Sequence, residues 1–366
     1  MAFFLCLYIE LFFDIIKLLE RGEHMIRYPE PLKKGDTIGI VAPSSGVTGV
    51  FANKLDFARK QLKVLGYKTL EGEHVKKQEK LTSASAKDRA AAFQRMYYDE
   101  SVAVIIPPWG GEFLMDMLPY LDYEKLKKAP SKWVMGFSDT STLLFALSLN
   151  INIATAHGPN LLDFGNTSID PSVINALEIL NKKKGDSIKQ ESLKFYQKEW
   201  LDVSENDFPP YDLTEKVNWA ILGDKNVVKF NGRLIGGNLD VICKLIGTPF
   251  DRVSEYIQTY KEDGILWYFE SCEMSSTDLY RTLWQMKMND WFKYCAGVLM
   301  GRADGYEDIG DFNLKDAYEK VFVDLEIPVV YNIDLGHLPP QLVLINGAYA
   351  EIEVSNGKGK IIQKMI

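Results

Sequence analysis

The chain has 366 residues, of which 46% are hydrophobic and 25% charged, an ordinary composition for a globular protein with a real core. Its length favours two domains over one. A formal net charge of −8 argues against a nucleic-acid groove, because a phosphate backbone needs a basic face and no run of Lys or Arg supplies one.

The N-terminus begins with the apolar run Ala2 to Ile9, soon interrupted by Glu10, Asp14, Lys17 and Glu20. That is too short and too charged for a membrane span, which takes roughly 20 apolar residues. It also lacks the basic start and small-residue cleavage site of a signal peptide. Phe4, Leu7, Tyr8, Leu11, Phe12, Ile15, Ile16 and Leu19 recur at helical spacing and fit an amphipathic helix. The competing and preferred reading starts the native chain at Met25. Arg21-Gly22-Glu23 can be encoded by a purine-rich stretch resembling a ribosome-binding site, so residues 1–24 would be an extension.

From residue 36 the chain alternates buried-strand runs with helical patterns. Thr37 to Ala42 is a strand run closed by the turn Pro43-Ser44-Ser45-Gly46. Phe51, Leu55, Ala58, Leu62 and Leu65 then share one helical face. Lys87 to Tyr98 reads as a helix, Val102 to Ile106 as a strand, and Pro107-Pro108-Trp109-Gly110-Gly111 closes it. Lys132 to Gly136 is a further strand, and Asp139 to Leu149 a further helix. The rhythm predicts an α/β fold, a parallel sheet with helices on both faces. Reactive groups in such sheets gather beyond the carboxyl ends of the strands. The turns at Ser44-Ser45, Gly110-Gly111 and Ser138-Asp139 should therefore converge.

Residues 25–180 are read as one domain, the charged and irregular stretch 181–218 as a linker, and 219–366 as a second, mixed domain. In the second domain Val227 to Phe230, Gly264 to Phe269, Ala296 to Met300 and Ala348 to Val354 read as strands, with a helix over Leu279 to Met286. Cys6, Cys243, Cys272 and Cys295 lie far apart without CxxC spacing. They fit free thiols in a reducing cytoplasm better than zinc or disulfides.

Ser138 is the leading candidate for chemistry. Gly136-Phe137-Ser138-Asp139-Thr140 is a partial match to the GxSxG elbow, in which a sharp strand-to-helix turn exposes a serine hydroxyl. The amide of Asp139, at the start of the helix, would face a developing oxyanion. A helix cap explains the same residues about equally well. Gly110-Gly111 could bring a second amide to that oxyanion or be a plain tight turn. A serine nucleophile needs a base. Of four histidines, His24 lies in the doubtful leader and His74 in a charged surface stretch, which leaves His157 and, slightly preferred, His337. The base needs an orienting carboxylate. Glu270 ends the apolar run Ile265 to Phe269, where an unpartnered carboxylate is costly. Glu273 is its competitor.

Taken in order, these segments resemble the LD-carboxypeptidase family, including its microcin-immunity branch, from about Tyr28 to the C-terminus. The resemblance rests on Lys34-Gly35-Asp36, Ala42-Pro43-Ser44-Ser45, Gly110-Gly111, Leu118 to Tyr123 and Gly136-Phe137-Ser138-Asp139. It continues through His157-Gly158-Pro159, Leu234 to Leu239, Gly247-Thr248-Pro249, Phe269-Glu270, Gly336-His337 and Pro340-Gln341. It implies an N-terminal flavodoxin-like domain and a C-terminal mixed domain with a small barrel-like sheet.

It also implies a triad of Ser138, Glu270 and His337, with the amides of Asp139 and the Gly110-Gly111 turn as oxyanion hole and His157 as a structural residue. No cofactor or metal is implied, and a homodimer is. By family analogy the substrate is a cytoplasmic murein tetrapeptide, cut to release its terminal D-alanine. Two departures stand out. Trp109 occupies the position where murein-recycling members usually carry Arg, which moves the pocket toward the microcin-immunity branch and its peptidyl- or aminoacyl-nucleotide amides. Ser271 follows Glu270 where the family usually has Asp, which leaves room for Glu273.

Overall fold

A computed structural model describes residues 25–204 and 207–366. The run 4–19 read as an amphipathic helix, together with Cys6 and His24, lies outside the described residues.

The first strands are β1 (Thr37–Ile40), β2 (Lys68–Glu71), β3 (Val102–Ile105), β4 (Trp133–Gly136) and β5 (Thr155–His157). They pair in parallel in the order β2-β1-β3-β4-β5, the flavodoxin-like order. Each is three or four residues long, and all but the edge strand β2, whose residues alternate between exposed and half-buried, are mostly buried, as short runs covered on both faces should be. The order reverses between β1 and β3, and that switch point is where such sheets open a crevice. The turns Pro43-Ser44-Ser45 and Trp109-Gly110-Gly111 leave these two strands there.

Eleven strands follow: β6 (Ser187–Glu191), β7 (Phe195–Tyr196), β8 (Glu215–Lys216), β9 (Ala220–Ile221), β10 (Val227–Asn238), β11 (Ile265–Glu270), β12 (Cys295–Gly301), β13 (Val329–Ile333), β14 (Leu344–Asn346), β15 (Tyr349–Ser355) and β16 (Lys358–Lys364). Eight of them form a mixed sheet in the order β6-β16-β15-β10-β11-β12-β13-β9, with β6 and β9 at its edges. Its centre, β10 to β13, is parallel.

Two segments cross the boundaries drawn from sequence. The stretch read as a linker contains β6, which alternates exposed and buried residues and pairs antiparallel with β16. Its lysines hide a period-two pattern carried by Ile188 and Gln190 alone. Strand β14, far along the second half, pairs antiparallel with β5 and makes the sixth strand of the first sheet.

The helix Thr140–Ile151 is buried on almost every side because it lies between the two sheets. Gly237 on β10 permits this approach, since a Cβ there would sit 2.9 Å from Ser141 Cβ. Phe145 of this helix stacks on Trp291 with centroids 5.5 Å apart, and Trp291 stacks on Trp267 of β11 at 5.3 Å. Aromatic pairs of this kind contribute about 0.5–1.5 kcal/mol beyond area burial. They lock the helix that follows Ser138 to the strand that ends in Glu270.

Candidate active site

Strand β4 stops at Gly136 and the helix starts at Thr140, so three residues, Phe137, Ser138 and Asp139, turn the chain. Ser138 takes the strain, at φ +62°, a left-handed conformation that costs a non-glycine residue about 1–2 kcal/mol. Its side chain stands half-buried at the mouth of a cavity. Gly136 is needed for close approach: a Cβ there would lie 2.6 Å from Asn160 Oδ1 and 2.7 Å from Thr140 Cγ2. Thr140, the fifth position of the partial elbow motif, thus fills the space that the first glycine leaves.

The Asp139 carboxylate braces the turn. Its Oδ2 accepts from Ser44 Oγ at 2.5 Å and from the Leu114 amide at 2.9 Å, and its Oδ1 from Thr142 Oγ1 at 3.3 Å. Burial pushes this carboxyl above the usual range, and the hydrogen bonds from Ser44 and Leu114 pull the other way. The elbow is therefore tied to the loop after β1.

Gly110 closes on the nucleophile from the loop after β3. A Cβ at Gly110 would lie 2.7 Å from both Cβ and Oγ of Ser138 and 2.9 Å from the Asp139 nitrogen. Gly111, at φ +143°, would meet the hydroxyls of Ser44 and Ser45. The amides of Asp139, Gly110 and Gly111 donate to no acceptor among the described residues. Free donors crowded against a strained serine hydroxyl are what an oxyanion hole requires.

Glu270 ends β11, opposite Asn238 on β10, and is 1% exposed. Gly301 and Gly336 leave it room, since a Cβ on either would come within 2.9 Å of the Glu270 side chain. His337 Nδ1 donates to Glu270 Oε2 at 2.9 Å. The loop carrying His337 sets its ring edge-on to Phe137, with centroids 5.0 Å apart, beside the elbow. Burial alone would lower the His337 pKa, but the Glu270 carboxylate, with Cys272 adding to it, holds it well above the ordinary histidine value. Burial would likewise raise Glu270, and His337 outweighs it, so the carboxyl sits below its usual range.

The other sequence candidates separate. His157 is fully buried, 3.4 Å from Ser141 Oγ, and packs edge-on against Tyr268. Desolvation pushes its pKa down to about 4, so it stays neutral. Glu273 is exposed, and its amide, like that of Cys272, donates to Asp240. His74 lies beside Glu73, away from the cavity lining.

Ser138 and His337 both line a cavity of about 560 Å³, within the usual range for small-molecule sites. Its walls are aromatic: Phe51, Trp109, Trp200 and Tyr211. Trp109 packs against Phe51 at 4.8 Å and donates from Nε1 to the Ser45 carbonyl at 3.2 Å. One ammonium, that of Lys54, enters this apolar lining. Burial lowers its pKa and Asp163 partly offsets that. A smaller cleft of about 220 Å³ on another side of Ser138 is lined by Asp240, Lys244 and Glu273. Sequence reasoning missed Trp200, Lys54 and Asn160. Trp200 lay in the supposed linker, and no local pattern marked the other two. Among the described residues no His, Cys, Asp and Glu group could hold a metal ion, and no helix is long and apolar enough to cross a membrane.

A doubly wound sheet with a strained serine at a strand-to-helix turn, free amides beside it and a carboxylate-paired histidine lining the same cavity is the arrangement of a serine hydrolase. Sequence comparison gives the family. The profile of the LD-carboxypeptidase N-terminal domain matches residues 38–158, and that of the LD-carboxypeptidase C-terminal domain matches residues 231–352. The microcin C7 self-immunity protein MccF of Escherichia coli is 26% identical over 342 residues, which cover 92% of this chain and 96% of that protein. A probable murein peptide carboxypeptidase of Bacillus subtilis is 26% identical over 340 residues, 92% of this chain and 94% of the other. The structure of MccF in complex with aspartyl sulfamoyl adenosine superposes with a TM-score of 0.80 at 26% identity, covering 92% of this chain and 99% of that one. The chain belongs to the LD-carboxypeptidase family of serine peptidases.

Proposed function

We propose that Ser138, His337 and Glu270 work as a catalytic triad on an amide bond. His337 Nε2 takes the proton as Ser138 Oγ attacks the carbonyl, while Nδ1–H remains bonded to Glu270. The tetrahedral oxyanion is received by the amides of Asp139 and the Gly110-Gly111 turn. Collapse breaks the C–N bond, the departing amine takes the proton from His337, and an acyl-Ser138 ester remains. Water, deprotonated by the same histidine, then hydrolyses the ester. The observation that carries this reading is the 2.9 Å contact between His337 Nδ1 and the buried Glu270 carboxylate, with the ring beside the Ser138 elbow.

For the substrate, the aromatic cavity favours an aminoacyl or peptidyl group amide-linked to a nucleotide. Trp109, Trp200, Phe51 and Tyr211 offer flat apolar faces to a base, and Lys54 a cation to a phosphate or its sulfamoyl analogue. The second reading is release of terminal D-alanine from a murein tetrapeptide in the cytoplasm. It is supported by the Bacillus subtilis relative and by the same lysine, which could take the terminal carboxylate. Incubation with an aminoacyl sulfamoyl adenosine and with UDP-MurNAc-tetrapeptide separates them. Amide cleavage of the first with no D-alanine from the second supports the nucleotide reading, and the reverse supports the murein reading. Turnover of neither by folded protein contradicts both.

A further inference from the structure

The loop that carries His337, residues 334–342, is closed at its base by the Leu342 amide donating to the Asp334 carbonyl at 2.8 Å. One guanidinium fills the inside of that loop. Arg302, in the turn after β12 and 5% exposed, donates from Nη1 to Asp334 Oδ1 at 2.6 Å, and from Nη2 to the carbonyls of Leu338 at 2.9 Å and Pro340 at 3.0 Å. The three acceptors lie three residues before, one after and three after the histidine. A planar fork can satisfy such a set at once, and an ammonium cannot reproduce it.

The same pair grips the cavity wall. Asp334 Oδ2 also accepts from the Leu193 amide at 2.9 Å and from Trp219 Nε1 at 2.8 Å. The Arg302 guanidinium lies over the Tyr196 ring at 4.5 Å, and the Gln197 amide donates to the Pro339 carbonyl at 2.8 Å. Two residues past Arg302, Asp304 accepts from Trp200 Nε1 at 3.1 Å, and its own amide donates to the Ser271 carbonyl beside Glu270 at 3.1 Å. The turn 302–304 thus meets the histidine loop, the end of the Glu270 strand and the wall segment at Trp200.

We propose that Arg302 is the positioning residue of this enzyme: it holds His337 in register with Glu270 and Ser138, and links that geometry to the wall segment 193–200. The proposal rests on the triad assignment above. A buried ion pair is weak support for stability by itself, because desolvation consumes much of the attraction. Its three-point grip on one loop is what argues for positioning.

The test uses a fluorophosphonate, which reads activation of Ser138 without assuming a substrate. Rates of labelling at Ser138, mapped by peptide mass, are measured against pH for the wild type, Arg302→Lys and Arg302→Gln, with thermal unfolding in parallel. We expect folded Arg302→Lys to label at least tenfold more slowly, Arg302→Gln more slowly still, and the acid limb of the rate profile to move toward lower pH as His337 loosens from Glu270. Labelling within twofold of wild type on an unmoved pH profile, with only the melting temperature lowered, would show a merely structural role and overturn the proposal. If the Arg302 variants do not fold, Asp334→Asn, which keeps the shape but loses the charge and turns one of the two acceptor oxygens into a donor, is held to the same two outcomes. Failure of folded wild type to label at Ser138 would instead overturn the triad assignment, and the proposal with it.

Discussion

His337 Nδ1 and Glu270 Oε2 stand 2.9 Å apart across the ends of two elements separated by 67 residues of sequence. The carboxylate is fully buried, while the imidazole edge still reaches the cavity that Ser138 also lines. Each group alone would be driven toward neutrality by burial. Together they hold the carboxyl ionised and the imidazole ready to accept charge.

That pairing sets the pH dependence. The proposed triad needs neutral His337 to accept the Ser138 proton, and Glu270 raises its pKa above the ordinary histidine value. Activity should therefore climb with pH through a limb lying above the usual histidine range. Glu270→Gln should lower kcat by about 10⁴-fold and move the limb to lower pH, because the Glu270 charge is gone and burial is then opposed only by Cys272. The measurement is kcat/KM against pH for both proteins, and an unmoved limb would count against the pairing.

The choice between acids is tested by a pair of variants. Glu270→Ala should cost at least a hundredfold in kcat. Glu273→Ala, removing an exposed side chain whose backbone amide is held by Asp240, should stay within threefold of wild type. The reverse ranking would reassign the acid.

Gly110 gives a steric prediction. A methyl there would land 2.7 Å from Ser138 Oγ and 2.9 Å from the Asp139 nitrogen. Gly110→Ala should lower kcat by about 10²–10³-fold, the scale of losing an oxyanion donor, with a far smaller effect on folding read by thermal unfolding.

His157 predicts a stability profile. Its folded pKa, about 4, lies below the unfolded value of 6.5, so the unfolded state binds the extra proton in between. Its contribution is complete above pH 6.5 and is lost as pH falls toward 4, about 3 kcal/mol in total. Urea unfolding of His157→Gln across that window should show a correspondingly shallower loss; equal slopes would mean that His157 is not buried neutral.

Much of this was legible in the residues. The short apolar runs marked β1, β3 and β4 of the first sheet because period and turn signals agree there, whereas the exposed edge strand β2 has no such run, and the order of motifs suggested Ser138, Glu270 and His337. The rest depends on tertiary pairing that no local pattern encodes. Strand β6 buries only Ile188 and Gln190 between the polar residues Ser187, Lys189 and Glu191, and β14 is three residues that become a strand only by meeting β5. Trp200 reads as part of an irregular stretch until the fold brings it to the cavity. Arg302 looks like any cation after a strand, since its three acceptors lie 32 to 38 residues away.

The most direct test of the central claim is Ser138→Ala. Turnover of whichever amide the wild type cleaves should fall by at least 10⁴-fold, as loss of a triad nucleophile does. The melting temperature should hold or rise slightly, and Ser138→Gly should rise further because glycine relieves the left-handed strain. An alanine variant that retains wild-type kcat at unchanged stability would contradict the account.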